Sequence, residues 1–204
     1  MDKLNKKFTI LIIGLILLTI LLGFALIYAK YISSAYGNTK MAIARWDIKV
    51  NNLSIKDNTN ISNTLKPIFP GNSNIAANII APTAEGYFDL NFDFTGADVS
   101  FKYEITPSVD SSSSVKDLVA TGYSIADNGG EFGNRVNLEN YNDKISDTIL
   151  LNSPVKKRTI RIYILWNDDE TSQEMSDDED TNSTKSEKDP LFHVNIIFTQ
   201  VASW

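Results

Sequence analysis

The chain has 204 residues, no cysteine, one histidine and a formal charge of -6, which suits one packed core with appendages. Without cysteine there can be no disulfide, thiolate metal site, thiol nucleophile or lipid-bearing cysteine. The 19 Lys and Arg are scattered among 25 carboxylates, which argues against nucleic acid as a partner, because neutralising phosphates takes clustered cations.

Lys3, Lys6 and Lys7 precede an uncharged run from Phe8 to Ala29. As a helix this run would reach about 33 Å, enough to cross a bilayer. The positive-inside preference holds the basic lead in the cytoplasm and puts everything after Ala29 outside it. The expectation is therefore an exported protein, extracellular or at the cell surface, whose membrane contact is Phe8 to Ala29, at least during export. Residues 1–29 are either a signal peptide or a retained anchor. The run exceeds the roughly 7–15 apolar residues of an ordinary signal peptide, whereas Ala29 and Ser33-Ser34-Ala35 offer small residues at which a peptidase could cut.

Residues 30–41 read as a polar linker, and residues 42–204 as one domain. Its first strand is predicted from alternation: Ala42, Ala44, Trp46, Ile48 and Val50 share one face, with Arg45, Asp47 and Lys49 on the other. Farther on, Phe88, Leu90, Phe92 and Phe94 alternate with polar residues. The turn Thr95-Gly96-Ala97 then leads to Val99, Phe101, Tyr103 and Ile105, so two adjacent antiparallel strands are expected. One short helix is expected around Ser114 to Ala120, and Asn128-Gly129-Gly130 marks a hairpin. Ile160, Ile162, Ile164 and Trp166 form another apolar face, as do Phe192, Val194, Ile196 and Phe198 in the last segment. The class is all-β: an antiparallel sandwich of two sheets behind one N-terminal transmembrane or signal helix.

Residues 167–190 carry ten carboxylates and almost no apolar groups, and read as a solvated loop unable to offset its ordering entropy. Asp177, Asp178, Glu179 and Asp180 are weak calcium candidates: they are hard oxygen ligands, but lack the alternation and central Gly of an EF-hand. No other cofactor is indicated. There is no histidine besides His193, so HExxH zinc chemistry is excluded, and a solvent-facing or edge-packed strand residue is its simplest reading. No Gly-rich phosphate loop is present, and the expectation is a non-enzymatic protein.

The segments AKYISSAYGNTKMAIARWDIKVN, IIAPTAEGYFDLNFDFTGADVSFKYEIT, RIYILWNDDE, DDEDT and FHVNIIFTQV, in this order, resemble the TasA/camelysin-type exported proteins of Firmicutes. The resemblance implies a jelly-roll-like β-sandwich, a leader handled by a dedicated signal peptidase and a role in extracellular fibres or biofilm matrix. It further implies that a freed N-terminal strand of one subunit completes the sheet of the next, whether a copy or a related matrix subunit. Here that strand is Ala42 to Val50, with Trp46 as its bulkiest anchor. The YAKY end of the leader and the acidic loop depart from the family pattern. The competing reading is a membrane-anchored, monomeric adhesion or ligand-binding domain.

Overall fold

The computed structural model describes residues 2–31, 42–186 and 188–201, which fall into two compact units divided after Ala42. The first is α1 (Asp2–Tyr31), a helix of 30 residues and hence about 45 Å. Within it Asn5–Phe24 is long and apolar enough to cross a membrane. Its Thr9 and Thr19 hydroxyls donate to the carbonyls of Asn5 and Ile16 at 2.8 Å, so neither needs water as a partner. The predicted helix of 1–29 thus runs on to Tyr31, and the expected linker lies outside the described residues from 32 to 41.

The second unit comprises β1 (Trp46–Val50), β2 (Leu53–Ser54), β3 (Glu85–Ala97), β4 (Phe101–Val109), β5 (Leu118–Asp127), β6 (Val136–Asn137), β7 (Ile145–Ile149), β8 (Lys157–Trp166), α2 (Asp177–Ser183) and β9 (Phe192–Gln200). The strands form two sheets, ordered β2-β1-β3-β8-β5-β6 and β7-β4-β9, and every pairing is antiparallel. The predicted sandwich is the observed architecture. Its core is made by the inward faces that the alternation marks: Phe88, Leu90, Phe92 and Phe94 with Ile160, Ile162 and Ile164 from one sheet, Phe101, Tyr103 and Ile105 from the other. Aromatic rings lock the two layers edge to face, with Phe92 5.4 Å from Tyr103 and 5.6 Å from Phe198.

Three predictions need correction. β3 and β4 are consecutive but not adjacent. β3 already has β1 and β8 on its two sides, so Asp98 to Ser100 carry the chain into the opposite sheet, where Phe101 meets Phe94 across the core at 5.0 Å. No helix forms over Ser114 to Ala120. Ser113 Oγ instead donates to the Val115 carbonyl, and β5 begins at Leu118, where Val119 and Thr121 favour extended backbone. The acidic segment is ordered rather than only a solvated loop, because it holds α2. Met175 is buried against Val115, Leu118 and Trp166 in a small second core. The Asp117 carboxylate accepts the backbone N–H groups of Glu174 and Met175 at 2.5 and 2.8 Å.

β5 contains a bulge between Ala120 and Gly122 that inverts its alternation, so Leu118 and Ala120 point inward before it and Tyr123 and Ile125 after it. Gly122 is required there, since a Cβ would meet the Val136 carbonyl oxygen at 2.7 Å. The Asn128-Gly129 turn is as expected: both residues have positive φ, and the Gly130 N–H donates to the Asp127 carbonyl at 2.9 Å.

Candidate functional site

Among the described residues β9 forms one margin of the three-stranded sheet and pairs only with β4, over nine residues from Phe192↔Val109 to Gln200↔Phe101. Just outside the strand, the Leu191 carbonyl accepts from Asp110 and the Val201 N–H donates to Ser100, so odd-numbered residues turn their backbone groups toward β4. Even-numbered residues Phe192, Val194, Ile196, Phe198 and Gln200 consequently turn theirs outward. Among the described residues no strand takes up these groups.

The side chains of Phe192, Val194, Ile196 and Phe198 point into the sandwich yet are only half-buried, unlike the corresponding residues of β3 and β8. The flank beside them is open. Two adjoining depressions of about 410 and 480 Å³ run along β9 from Phe192 to Phe198, with Ile55, Lys56, Asn58 and Ile196 as shared walls. The strand holds no Asp, Glu, Lys or Arg, and its His193 is exposed and sits opposite Ser108. A long, uncharged, unprotected sheet margin is a template for another strand. The other margins are guarded differently: β2 and β6 are two residues long, and β7 carries Asp147 at its centre.

Sequence comparison finds no matching family model and no matching curated protein.

The predicted assembly strand is only partly a strand. β1 starts at Trp46, and Ala42 and Ala44 lie before it, exposed. Ile48 and Val50 are buried in the core as their face requires, whereas Trp46 remains 41% exposed with its ring edge on Phe101 at 5.9 Å. Pairing is with the chain's own β3, Trp46↔Ala97 to Val50↔Phe92, with an irregularity between Asp47 and Lys49. Gly96 permits this approach, since a Cβ there would meet Asp47 at 2.7 Å.

The four calcium candidates do not share a pocket. Asp177 and Asp178 are exposed on the first turn of α2, and Glu179 reaches back to accept the Ser176 N–H at 2.9 Å. Asp180 turns inward and accepts the Trp166 indole N–H at 3.2 Å. Its second oxygen is buried with no partner among the described residues. Burial pushes this carboxyl above the ordinary carboxylate range; the Trp166 hydrogen bond opposes the shift, and Asp117, Asp168 and Asp177 reinforce it. Among the described residues no three acidic or histidine side chains come together to hold a metal ion.

Sequence reading missed a charged clamp between the sheets. Arg158, its side chain 8% exposed, donates to both oxygens of Asp127 (2.7 and 2.9 Å), to Asp147 (2.5 Å) and to the Tyr103 hydroxyl (3.1 Å). Burial works against its charge, but these three partners outweigh it and hold the guanidinium above its ordinary value. Burial pushes the Tyr103 phenol up to about 12, despite the Arg158 hydrogen bond. Arg158 occupies an inward position of β8, and an arginine in an apolar series was the one available signal.

Proposed function

We propose that this protein is an exported structural subunit of the cell surface or extracellular matrix that assembles by β-strand complementation. The observation that carries the reading is the β9 margin, with nine residues, outward backbone groups of one parity and a groove beside them into which Val194, Ile196 and Phe198 present their apolar side chains. An incoming strand with period-two apolar residues would satisfy those groups and cover Val194, Ile196 and Phe198 at once. The donor in this reading is the segment ending in Ala42 to Val50, whose apolar face has the required period. In the lone subunit part of that segment rests on β3. α1 supplies the export signal and keeps the assembling domain outside the cytoplasm.

The resemblance to TasA/camelysin-type proteins agrees with this reading and adds fibre or biofilm-matrix assembly to it. The length of α1 favours one competing role, an anchored monomeric adhesion or binding domain. N-terminal sequencing of the protein from cell envelopes, with electron microscopy of the same material, separates the two. Shortened chains in fibres are the expected result. Intact, monomeric chains confined to the membrane would overturn assembly in favour of the anchored domain.

A further inference from the structure

The outward backbone groups of β9 belong to Phe192, Val194, Ile196, Phe198 and Gln200, a set symmetric about Ile196. That symmetry fits the strand to a copy of itself. In antiparallel pairing about a two-fold axis at Ile196, Ile196 faces its own mate, Val194 faces Phe198 of the second copy, and Phe192 faces Gln200. Every outward N–H then meets an outward carbonyl. Five residues from each copy give ten hydrogen bonds, about the number that a protein interface of standard size carries. A register moved by one residue sets the outward groups against groups already spent on β4, and all ten are lost.

The side chains agree with this register. The strand holds no Asp, Glu, Lys or Arg, so no like charges come opposite one another. On the outer face His193 meets Thr199, and Asn195 meets Ile197, which is 48% exposed in the single chain. On the inner face the half-buried Val194, Ile196 and Phe198 of both copies fall into one row, and each copy covers the apolar surface that the other leaves open. The groove wall is compatible too. Lys56 and Asp57 line it beside Ile196, and among the described residues neither is in an ion pair. A two-fold axis turns the two walls toward each other, so each offers the other both signs of charge.

We propose that two copies of this protein pair β9 to β9 in this antiparallel register, joining two three-stranded sheets into one of order β7-β4-β9-β9-β4-β7. The resulting dimer closes the margin. A donor strand needs the same outward groups, so dimer and strand-complemented assembly exclude each other, and the dimer is a resting form that must part before strands add. That regulatory role rests on the margin being the acceptor; the pairing itself does not. A second copy is favoured over an unrelated strand because it matches every outward group at once and draws only on the described residues.

The chain has no cysteine, so a single nitroxide can be placed at Ile197→Cys or at Thr199→Cys, both exposed on the outer face of β9. In the dimer the two copies of position 197 are diagonal neighbours, about 7–8 Å apart at the backbone. Six residues of strand separate the two copies of position 199, about 20 Å. The full chain in detergent micelles should show strong spin–spin broadening at 197 and far less at 199, and dilution with unlabelled chain should abolish both. Adding Ile196→Lys, which sets two ammonium groups against each other on the axis, should also remove the broadening at 197. No broadening at 197, or equal broadening at both positions as parallel stacking gives, overturns the proposal. Fibres from a chain that never shows this dimer overturn the dimer and leave strand complementation standing. The same broadening pattern in chains that never form fibres upholds the pairing and counts against strand complementation.

Discussion

Replacing Arg158 with methionine tests how the two sheets are held together. Methionine keeps much of the side-chain volume but removes every donor of the clamp. Breaking a buried ion pair by deleting one partner commonly costs about 3–5 kcal/mol. That figure is too large here, because the Asp127 and Asp147 side chains are 36% and 48% exposed and can regain water. Tyr103 is different: it is 0% exposed, so its hydroxyl would be left buried without its donor, a loss of about 1–3 kcal/mol. The expected total is about 2–4 kcal/mol, or a fall in Tm of roughly 5–15 °C for a domain of this size. Thermal unfolding followed by circular dichroism, on Arg158→Met, Tyr103→Phe and the double variant, gives the coupling directly. The double variant should recover about 1–3 kcal/mol of the loss expected for Arg158→Met, because no hydroxyl is then stranded. A loss under about 0.5 kcal/mol for Arg158→Met, the range of ordinary surface substitutions, would refute the clamp.

Three further outcomes follow from the same structure. The phenol of Tyr103 has a folded value raised above its unfolded one, so its contribution is intact below pH about 10 and is lost as pH rises toward about 12. Denaturant titrations across that range should show a steeper alkaline loss in the parent than in Tyr103→Phe, and parallel curves would count against burial of the hydroxyl. Asp180, raised likewise, stabilises the α2 cap below its unfolded value and ceases to do so as pH climbs through the folded one. Asp180→Asn should therefore gain stability of order 1 kcal/mol at pH 7 and converge with the parent in acid, read by Trp166 fluorescence; a loss at pH 7 would contradict this. Ile196→Lys places a charge on the β9 groove, where the long side chain can still reach water. It should cost the monomer about 1 kcal/mol and suppress assembly in sedimentation assays, and undiminished assembly would exclude this margin as acceptor.

Much of the fold is legible in the sequence because the core strands alternate without interruption. Phe88 to Phe94 and Ile160 to Trp166 bury the very faces their periodicity marks. Alternation identifies a strand and its inward face but not its neighbour, which is why β3 and β4 read as a hairpin although they belong to different sheets. The bulge at Ala120 to Gly122 hides β5 by shifting the period midway. α2 was obscured by composition: the capping pair Ser176 and Glu179 and the single apolar Met175 are its only local signals, and its order comes from the distant Asp117 and Trp166. For the proposed site, the apolar face of β9 could be read directly. That this strand ends a sheet among the described residues depends on the three-strand order and has no local signature.

The most direct measurement is residue-resolved hydrogen exchange along β9, in monomer and in assembled material. The amides of Val194, Ile196 and Phe198 should exchange rapidly in the monomer and become protected on assembly, while those of Asn195 and Ile197, turned toward β4, are protected in both. Unchanged exchange of the three even-numbered amides in assembled material would contradict strand addition at this margin.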